Sequence, residues 1–226
     1  MVYLLHGLTG HYGDWAQKSK LVEHSAQYGF IIVMPEGNNG WYSDAENVPN
    51  DRYESYIVGD LIPEIDRKYR TRAERSGRVI AGLSMGGYGA LKFGLKHSAR
   101  FVLTGSFSGA LRAAEIDPNA FGGNWKALTD SVASAFGEMG SKTRYRNDLF
   151  RLLSDLKPEE VKNLPFIYLD CGTEDFLIKD NREFAAKLLE LKVPHEFRQL
   201  PGAHDWKYWD KQIIDFMRVA ERVSAR

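Results

Sequence analysis

One stretch of the chain, residues 79–91 with the sequence VIAGLSMGGYGAL, constrains the fold more than any other. An apolar run typical of a buried strand stops at Ser84, which lies between Gly82 and Gly86, and helix-forming residues follow at once. In a Gly-x-Ser-x-Gly turn of this kind the serine backbone is strained and its hydroxyl is exposed above a parallel sheet. Side chains at the two glycine positions would collide with the strand and the helix. The stretch therefore predicts a strand, a nucleophilic serine and a helix.

Composition excludes several classes of protein. The chain has 226 residues, enough for a substantial core, and its 30 basic and 30 acidic residues predict neither a nucleic-acid partner nor a membrane partner. The single cysteine, Cys171, excludes an intrachain disulfide and a cysteine-rich metal site. No apolar run reaches the roughly 18 residues of a membrane span. Residues 1–7 are too short and lack the basic lead of a signal peptide, so we expect a cytoplasmic protein, although a secreted protein without its leader would look the same.

Strand-like and helix-like segments alternate along the chain. Apolar runs predict strands at 2–5, 30–34, 78–83, 101–108 and 165–171, with an edge strand at 195–200, and amphipathic patterns predict helices at 15–28, 53–69, 85–97, 179–192 and 206–223. Such alternation predicts an α/β fold, with a mostly parallel sheet of about six strands and helices on both faces.

Residues 111–163 break this rhythm with short helical pieces separated by glycine and proline. They hold too few apolar residues for a core of their own. We therefore expect one domain, residues 1–226, in which 111–163 form a cap-like excursion over the active site.

A catalytic base for Ser84 should follow the end of a strand, because ligands bind beyond the carboxyl ends of parallel strands. A serine hydroxyl is a weak nucleophile and needs a base that a third group orients. His204 lies in the loop that leaves the last strand. His24 and His97 fall in predicted helices, and His195 starts a strand at the opposite end of the sheet. His204 is therefore the predicted base. Its alternative role is structural, at the entry to the last helix.

The acid should lie between the serine and the histidine along the chain. Asp175 follows the fifth predicted strand, at the same end of the sheet as Ser84 and His204. Glu174 is the nearest competitor, whereas Asp170 is still within the strand. A helix cap is the alternative role for Asp175.

Two backbone N–H groups are predicted to bind the negative charge of a tetrahedral intermediate. One belongs to Met85, the residue after the serine, and the other to Leu8 in the loop after the first strand. We expect His6 to hydrogen-bond this loop rather than to act as a base. Trp41 and Tyr42 follow a glycine-rich loop and could form the wall of an acyl or aromatic pocket, or pack in the core. No spacing of histidines and carboxylates resembles a metal site, and we expect no cofactor.

Four segments together resemble the esterase D family of serine hydrolases, which are α/β-hydrolases. The family includes S-formylglutathione hydrolases, feruloyl and acetylxylan esterases, tributyrin-type acyl esterases and mycolyltransferases. The matching segments are residues 4–8, 81–91, 170–175 and 202–206, in the family's order. The resemblance implies a triad of Ser84, Asp175 and His204, with Leu8 and Met85 as the oxyanion hole. It implies hydrolysis of short-chain acyl, feruloyl or acetyl-carbohydrate esters through an acyl-enzyme.

The chain departs from the family pattern in two ways. The thioesterase branch has a cysteine and histidines at positions that are Gly10, Leu83 and Tyr88 here, which favours the carbohydrate and short-chain branch. Family members also carry antiparallel strands ahead of the first strand seen here. Without them, strand 30–34 would be an exposed apolar edge, so we expect either that the sequence is a fragment or that a homodimer partner or another chain covers that edge. Acyl transfer to a sugar hydroxyl, thioester hydrolysis and a non-catalytic binding role stay open as alternatives.

Overall fold

A computed structural model describes residues 1–121 and 124–225. Within them, six parallel strands form one sheet in the order β2-β1-β3-β4-β5-β6. The strands are β1 Val2–Leu5, β2 Ile32–Val33, β3 Val79–Leu83, β4 Leu103–Phe107, β5 Phe166–Gly172 and β6 His195–Leu200. The helices are α1 Asp14–Lys18, α2 Leu21–Ser25, α3 Tyr53–Ser55, α4 Ile62–Lys68, α5 Met85–Lys96, α6 Lys126–Phe136, α7 Lys142–Asn147, α8 Leu149–Ser154, α9 Pro158–Val161, α10 Ile178–Glu190 and α11 Trp206–Ser224. The predicted α/β fold with six strands is confirmed.

Helices cover both faces of the sheet, because successive strand side chains point to opposite sides. In β1, Val2 and Leu4 belong to one buried core, which α11 completes with apolar side chains such as Phe216. Tyr3 and Leu5 belong to a second core on the other face, with α5 and α10. Strands buried on both faces are typical of parallel sheets, and they explain the continuous apolar runs in the sequence.

The helix predicted at 53–69 is interrupted by a wide π-helical turn, Tyr56–Leu61, between α3 and α4. Pro63 lies in the first turn of α4. A proline ring inside a helix clashes with the carbonyl four residues earlier, here that of Gly59. The wide turn, in which the Ile62 N–H donates to the Ile57 carbonyl, makes room for that ring. The predicted helix is thus interrupted by a widened turn just before the proline.

The predicted helix 15–28 is also broken, into α1 and α2. Ser19 lies between them, and its hydroxyl oxygen accepts the Leu21 N–H at 3.2 Å. A serine that bonds nearby backbone in this way competes with continuous helix.

Strand β2 is much shorter than the predicted strand 30–34 and lies at one edge of the sheet. Pro35 cannot donate to a strand ladder, and β2 ends at Val33, two residues before it. The side chain of Ile31, the residue before β2, is 37% exposed. Pairing of a second chain along this edge stays a prediction. The opposite edge is β6, as predicted for 195–200.

The described part of residues 111–163 contributes to the core beside the sheet. Phe136 of α6 and Leu149 and Leu153 of α8 are buried in the same core as Phe93 of α5. Gly122 and Gly123, within the predicted cap, lie outside the described residues. That 111–163 cap the active site stays a prediction. Among the described residues, no helix is both long and apolar enough to cross a membrane.

Candidate active site

Ser84 lies on a strained turn between β3 and α5, with φ 53° and ψ −114°. Non-glycine residues rarely adopt positive φ, and they do so mostly where the surrounding structure holds them. A Cβ atom on Gly82 would lie 2.5 Å from the Gly86 carbonyl oxygen. A Cβ atom on Gly86 would lie 2.6 Å from the carbonyl oxygens of Leu5 and His6. Both glycines are therefore required where the sequence places them.

Ser84, His204 and Asp175 form one hydrogen-bonded chain. The Ser84 hydroxyl lies 3.0 Å from His204 Nε2, in position to donate to it. The opposite ring nitrogen, Nδ1, donates to Asp175 Oδ2 at 2.9 Å. The three side chains come from the turn after β3, the loop after β5 and the loop after β6, so they meet at the carboxyl end of the sheet. The structure thus brings together the three predicted triad residues.

The Asp175 carboxylate is stabilised in its charged form. Burial alone raises the pKa of this carboxyl, but hydrogen bonds from His204 and from the Leu177 N–H outweigh burial, and the pKa lies below its usual value. A charged carboxylate at Nδ1 keeps a proton on that nitrogen. The lone pair of Nε2 then faces the serine, as a general base requires.

The competing residues lie apart from His204. Asp170 is buried within β5, where its Oδ2 accepts the Tyr168 hydroxyl at 3.1 Å, and burial raises its pKa to about 7. The Glu174 carboxylate accepts the hydroxyl of its neighbour Thr173. His195 lies at the amino end of β6 and its Nδ1 donates to the Val193 carbonyl. None of the three contacts the base.

Two backbone N–H groups beside Ser84 are available to an oxyanion. Met85 is the first residue of α5, so its N–H has no partner within the helix. Gly7 brings the preceding loop close, since a Cβ atom there would lie 3.6 Å from Ser84 Cβ. The next N–H, that of Leu8, donates no hydrogen bond within residues 1–121 and 124–225. The geometry suits the predicted oxyanion hole.

A cavity of about 350 Å³ opens beside Ser84 and His204. Leu8, Trp206 and Trp209 contribute to its lining. The Trp209 ring packs edge-on against the His204 ring at 4.9 Å. The sequence analysis placed both tryptophans only within the predicted last helix, 206–223. Their positions just after His204 were the available signal.

Trp41 and Tyr42 do not line this cavity. The pocket role that the sequence suggested for them is therefore corrected, and the alternative of packing in the core describes both residues. Both are buried in the core, with exposed fractions of 1% and 0%. Both have a positive φ of 53°. The Trp41 indole N–H donates to Ser131 Oγ, and the Tyr42 hydroxyl donates to the His6 carbonyl.

One exposed aromatic ring that sequence reasoning missed lies beside the histidine instead, and a second one packs against the first. Phe176 is 67% exposed, and its ring centroid is 4.7 Å from that of His204. Trp125, directly before α6, is 64% exposed and lies 6.4 Å from Phe176. A large apolar ring next to the acid in a polar loop was the available signal for Phe176.

The described residues contain no group of three or more His, Cys, Asp or Glu side chains that could hold a metal ion. A parallel sheet with helices on both faces, and a strained serine turn between strand and helix, define an α/β-hydrolase. A family model described as a putative esterase matches residues 1–219, and the chain belongs to this esterase family. The resemblance to the esterase D family is confirmed.

Individual relatives agree with this family. The chain is 34% identical to an acetyl esterase of Caldicellulosiruptor saccharolyticus, in a match that covers 99% of this chain and 84% of the relative. A fluorophosphonate-binding serine hydrolase F of Staphylococcus aureus superposes with a TM-score of 0.84 at 26% identity, covering 97% of this chain and 82% of the other. A ferulic acid esterase superposes with a TM-score of 0.80 at 28% identity, covering 98% and 84%.

Proposed function

We propose that this chain is a serine esterase that hydrolyses carboxylic esters through an acyl-enzyme on Ser84. The observation that carries the proposal is the hydrogen-bonded chain from Ser84 through His204 to Asp175. Similarity to an acetyl esterase, a serine hydrolase and a ferulic acid esterase supports the same reaction.

The geometry supports the following sequence of steps. Ser84 Oγ attacks the ester carbonyl carbon while His204 Nε2 takes the hydroxyl proton, and the Leu8 and Met85 N–H groups bind the resulting oxyanion. The intermediate collapses, the C–O bond to the alcohol breaks, and His204 returns the proton to the alcohol oxygen. A water molecule then attacks the acyl-enzyme with the same histidine as base. The acid is released and the Ser84 hydroxyl is restored.

The proposal is tested by covalent labelling. A fluorophosphonate should label Ser84 stoichiometrically, because its phosphorus is attacked by the same activated oxygen, and the labelled protein should no longer hydrolyse p-nitrophenyl acetate. Peptide mass spectrometry locates the label. A label on another residue, or turnover that survives complete labelling, would contradict the assignment.

For the alcohol part of the substrate we propose a carbohydrate that lies on Phe176 and Trp125. His204 must give its proton to the leaving alcohol, so a group next to the exposed side of His204 is close to that alcohol. Phe176 contacts His204 and Trp125 extends the same apolar surface. A polar cavity of about 540 Å³, to which Asn38 and Asp130 contribute, shares Thr9 and Gly10 with the cavity at Ser84. Exposed apolar rings at His204, together with the amide and carboxylate groups of the cavity that adjoins the Ser84 cavity, suit the two kinds of surface on a sugar.

Replacing Phe176 or Trp125 with Ala should raise KM for an acetylated xylo-oligosaccharide by about tenfold, because the variant loses a ring face that the bound sugar would cover. Turnover of p-nitrophenyl acetate, whose alcohol is small, should stay within about twofold. Tyr145→Ala removes a similarly exposed aromatic ring on α7 and serves as the control. Equal loss on both substrates, or loss confined to a methyl ferulate substrate, would reject the carbohydrate assignment.

A further inference from the structure

We propose that Tyr42 is a positioning residue for the oxyanion hole, and that the buried Lys92 holds it in place. This inference rests on the proposed esterase function, since it concerns the Leu8 N–H of the same site. Residues 6–8 form the oxyanion loop, which carries this N–H.

The direction of the Leu8 N–H depends on two consecutive peptide units. In a trans peptide the carbonyl and the N–H point in opposite directions, so the Gly7 carbonyl fixes the Leu8 N–H. That carbonyl accepts the His6 ring Nδ1–H at 2.8 Å and the Gly10 N–H at 3.1 Å. The preceding peptide has its own restraint, because the Tyr42 hydroxyl donates to the His6 carbonyl at 3.0 Å.

Tyr42 also sets the distance between the oxyanion loop and the serine turn. The His6 carbonyl that it binds is the same oxygen that leaves no room for a side chain on Gly86. The carbonyl is therefore held between the Tyr42 hydroxyl on one side and the turn that carries Ser84 on the other. Since Gly7 has no side chain to restrict rotation, loss of the restraint on the His6 carbonyl should widen the range of directions of the Leu8 N–H, which would then depend on the two hydrogen bonds of the Gly7 carbonyl alone.

The Tyr42 backbone is itself in an unfavourable conformation. Both Trp41 and Tyr42 have φ 53°, a left-handed backbone conformation that is unfavourable for residues other than glycine. The surrounding structure must supply what offsets this cost. Lys92 does so directly, since its ammonium donates to the Tyr42 carbonyl and to Ser43 Oγ, each at 2.6 Å.

Lys92 lies on α5, the helix that begins at the serine turn, so it connects Tyr42 to the nucleophile through one rigid element. Its side chain is fully buried, and Glu54 lies 3.1 Å from the ammonium. Burial lowers the pKa of Lys92 to about 8, with Glu54 opposing the shift, so the ammonium keeps its proton at neutral pH. Gly89, one turn earlier on α5, admits the Tyr42 ring, because a Cβ atom there would lie 2.6 Å from ring atom Cδ2.

Tyr88 provides a matched control for Tyr42. It is equally buried and its hydroxyl likewise donates to a backbone carbonyl, that of Asn147, at 2.7 Å. That carbonyl belongs to the end of α7 and not to the oxyanion loop. If the Tyr42 hydroxyl acted only through packing and stability, removing either hydroxyl would have the same effect.

The test compares Tyr42→Phe with Tyr88→Phe, and counts active sites by fluorophosphonate titration so that unfolded protein does not contribute. Loss of a whole oxyanion donor costs about 10²–10³-fold, so loosening one donor should lower kcat of Tyr42→Phe by about tenfold at unchanged KM. The inhibition constant of a trifluoromethyl ketone should rise by the same factor. Tyr88→Phe should match the parent protein on both measures. Equal kcat for the two variants would overturn the proposal.

Lys92→Met supplies a second measurement, because Lys92 and Tyr42 should act as a unit. The double variant should be no slower than the slower single variant, whereas independent roles would multiply the two losses.

A readout without turnover separates this inference from the proposed function. In the Ser84→Ala background, Tyr42→Phe should speed amide hydrogen exchange in residues 6–10 by about tenfold, and Tyr88→Phe should not. Unchanged exchange would overturn the positioning role even if the chain proves to be an esterase. If exchange is faster but the parent chain, with Ser84 intact, hydrolyses no ester, the esterase function is rejected and the positioning role is kept.

Discussion

Ser84→Ala is expected to lower kcat for p-nitrophenyl acetate by about 10⁴–10⁶-fold. The alanine removes the only atom of residue 84 that can attack the ester, while the turn, His204 and both N–H groups stay in place. KM should change little, because the hydroxyl contributes to the transition state rather than to ground-state binding. The residual rate should still exceed the uncatalysed rate, since oxyanion binding does not need the serine.

The measurement is steady-state kinetics beside thermal unfolding. A methyl group is smaller than the hydroxymethyl group and fits the same turn, so the midpoint of unfolding should stay close to that of the parent protein. Loss of fluorophosphonate labelling should accompany the loss of turnover. Activity within tenfold of the parent would place the nucleophile elsewhere.

Asp175→Asn should have the second largest effect, a loss of about 10⁴-fold in kcat. The asparagine keeps the shape of the side chain but presents either an N–H to His204 Nδ1 or a weaker acceptor. An N–H there favours the tautomer with its proton on Nε2, and such a histidine cannot accept the Ser84 proton. The loss of charge also removes the stabilisation of the imidazolium that forms during attack.

Glu174→Gln is the matched control, since it makes the same chemical change one residue earlier in the same loop. Its carboxylate contacts Thr173 and not His204, so kcat should stay within about twofold. If Glu174→Gln were the more damaging change, the acid would have been assigned to the wrong residue.

Local sequence signals were sufficient to predict the sheet and the meeting of Ser84, Asp175 and His204 at its carboxyl end. The turn at Ser84 is specified by its two glycines, and the apolar run before it can only be a buried strand in that context. Asp175 and His204 were then predicted from chain order and from the rule that parallel strands end at one edge. These inferences needed only the positions of the strand ends.

Features that depend on backbone direction or on distant residues could not be predicted in this way. The glycine-rich sequence before Trp41 predicted a loop, but the left-handed backbone of Trp41 and Tyr42 and the burial of their rings leave no mark in residue type. Phe176 and Trp125 are separated by 51 positions, and no periodicity joins them. Pro63 indicated a kink in the helix predicted at 53–69, but the widened turn that the kink takes depends on how the backbone moves the Gly59 carbonyl away from the proline ring.

The pair of left-handed residues at 41 and 42 has a consequence for engineering. A loop is usually treated as a module that can be exchanged between relatives without regard to the scaffold. Here the loop conformation is supported by Gly89, which leaves space for a ring, and by the ammonium of Lys92, both on the helix behind the nucleophile. A transplanted segment 37–43 would keep its shape only if those two helix positions were transplanted with it. The unit of exchange in this chain is therefore a loop together with part of a helix.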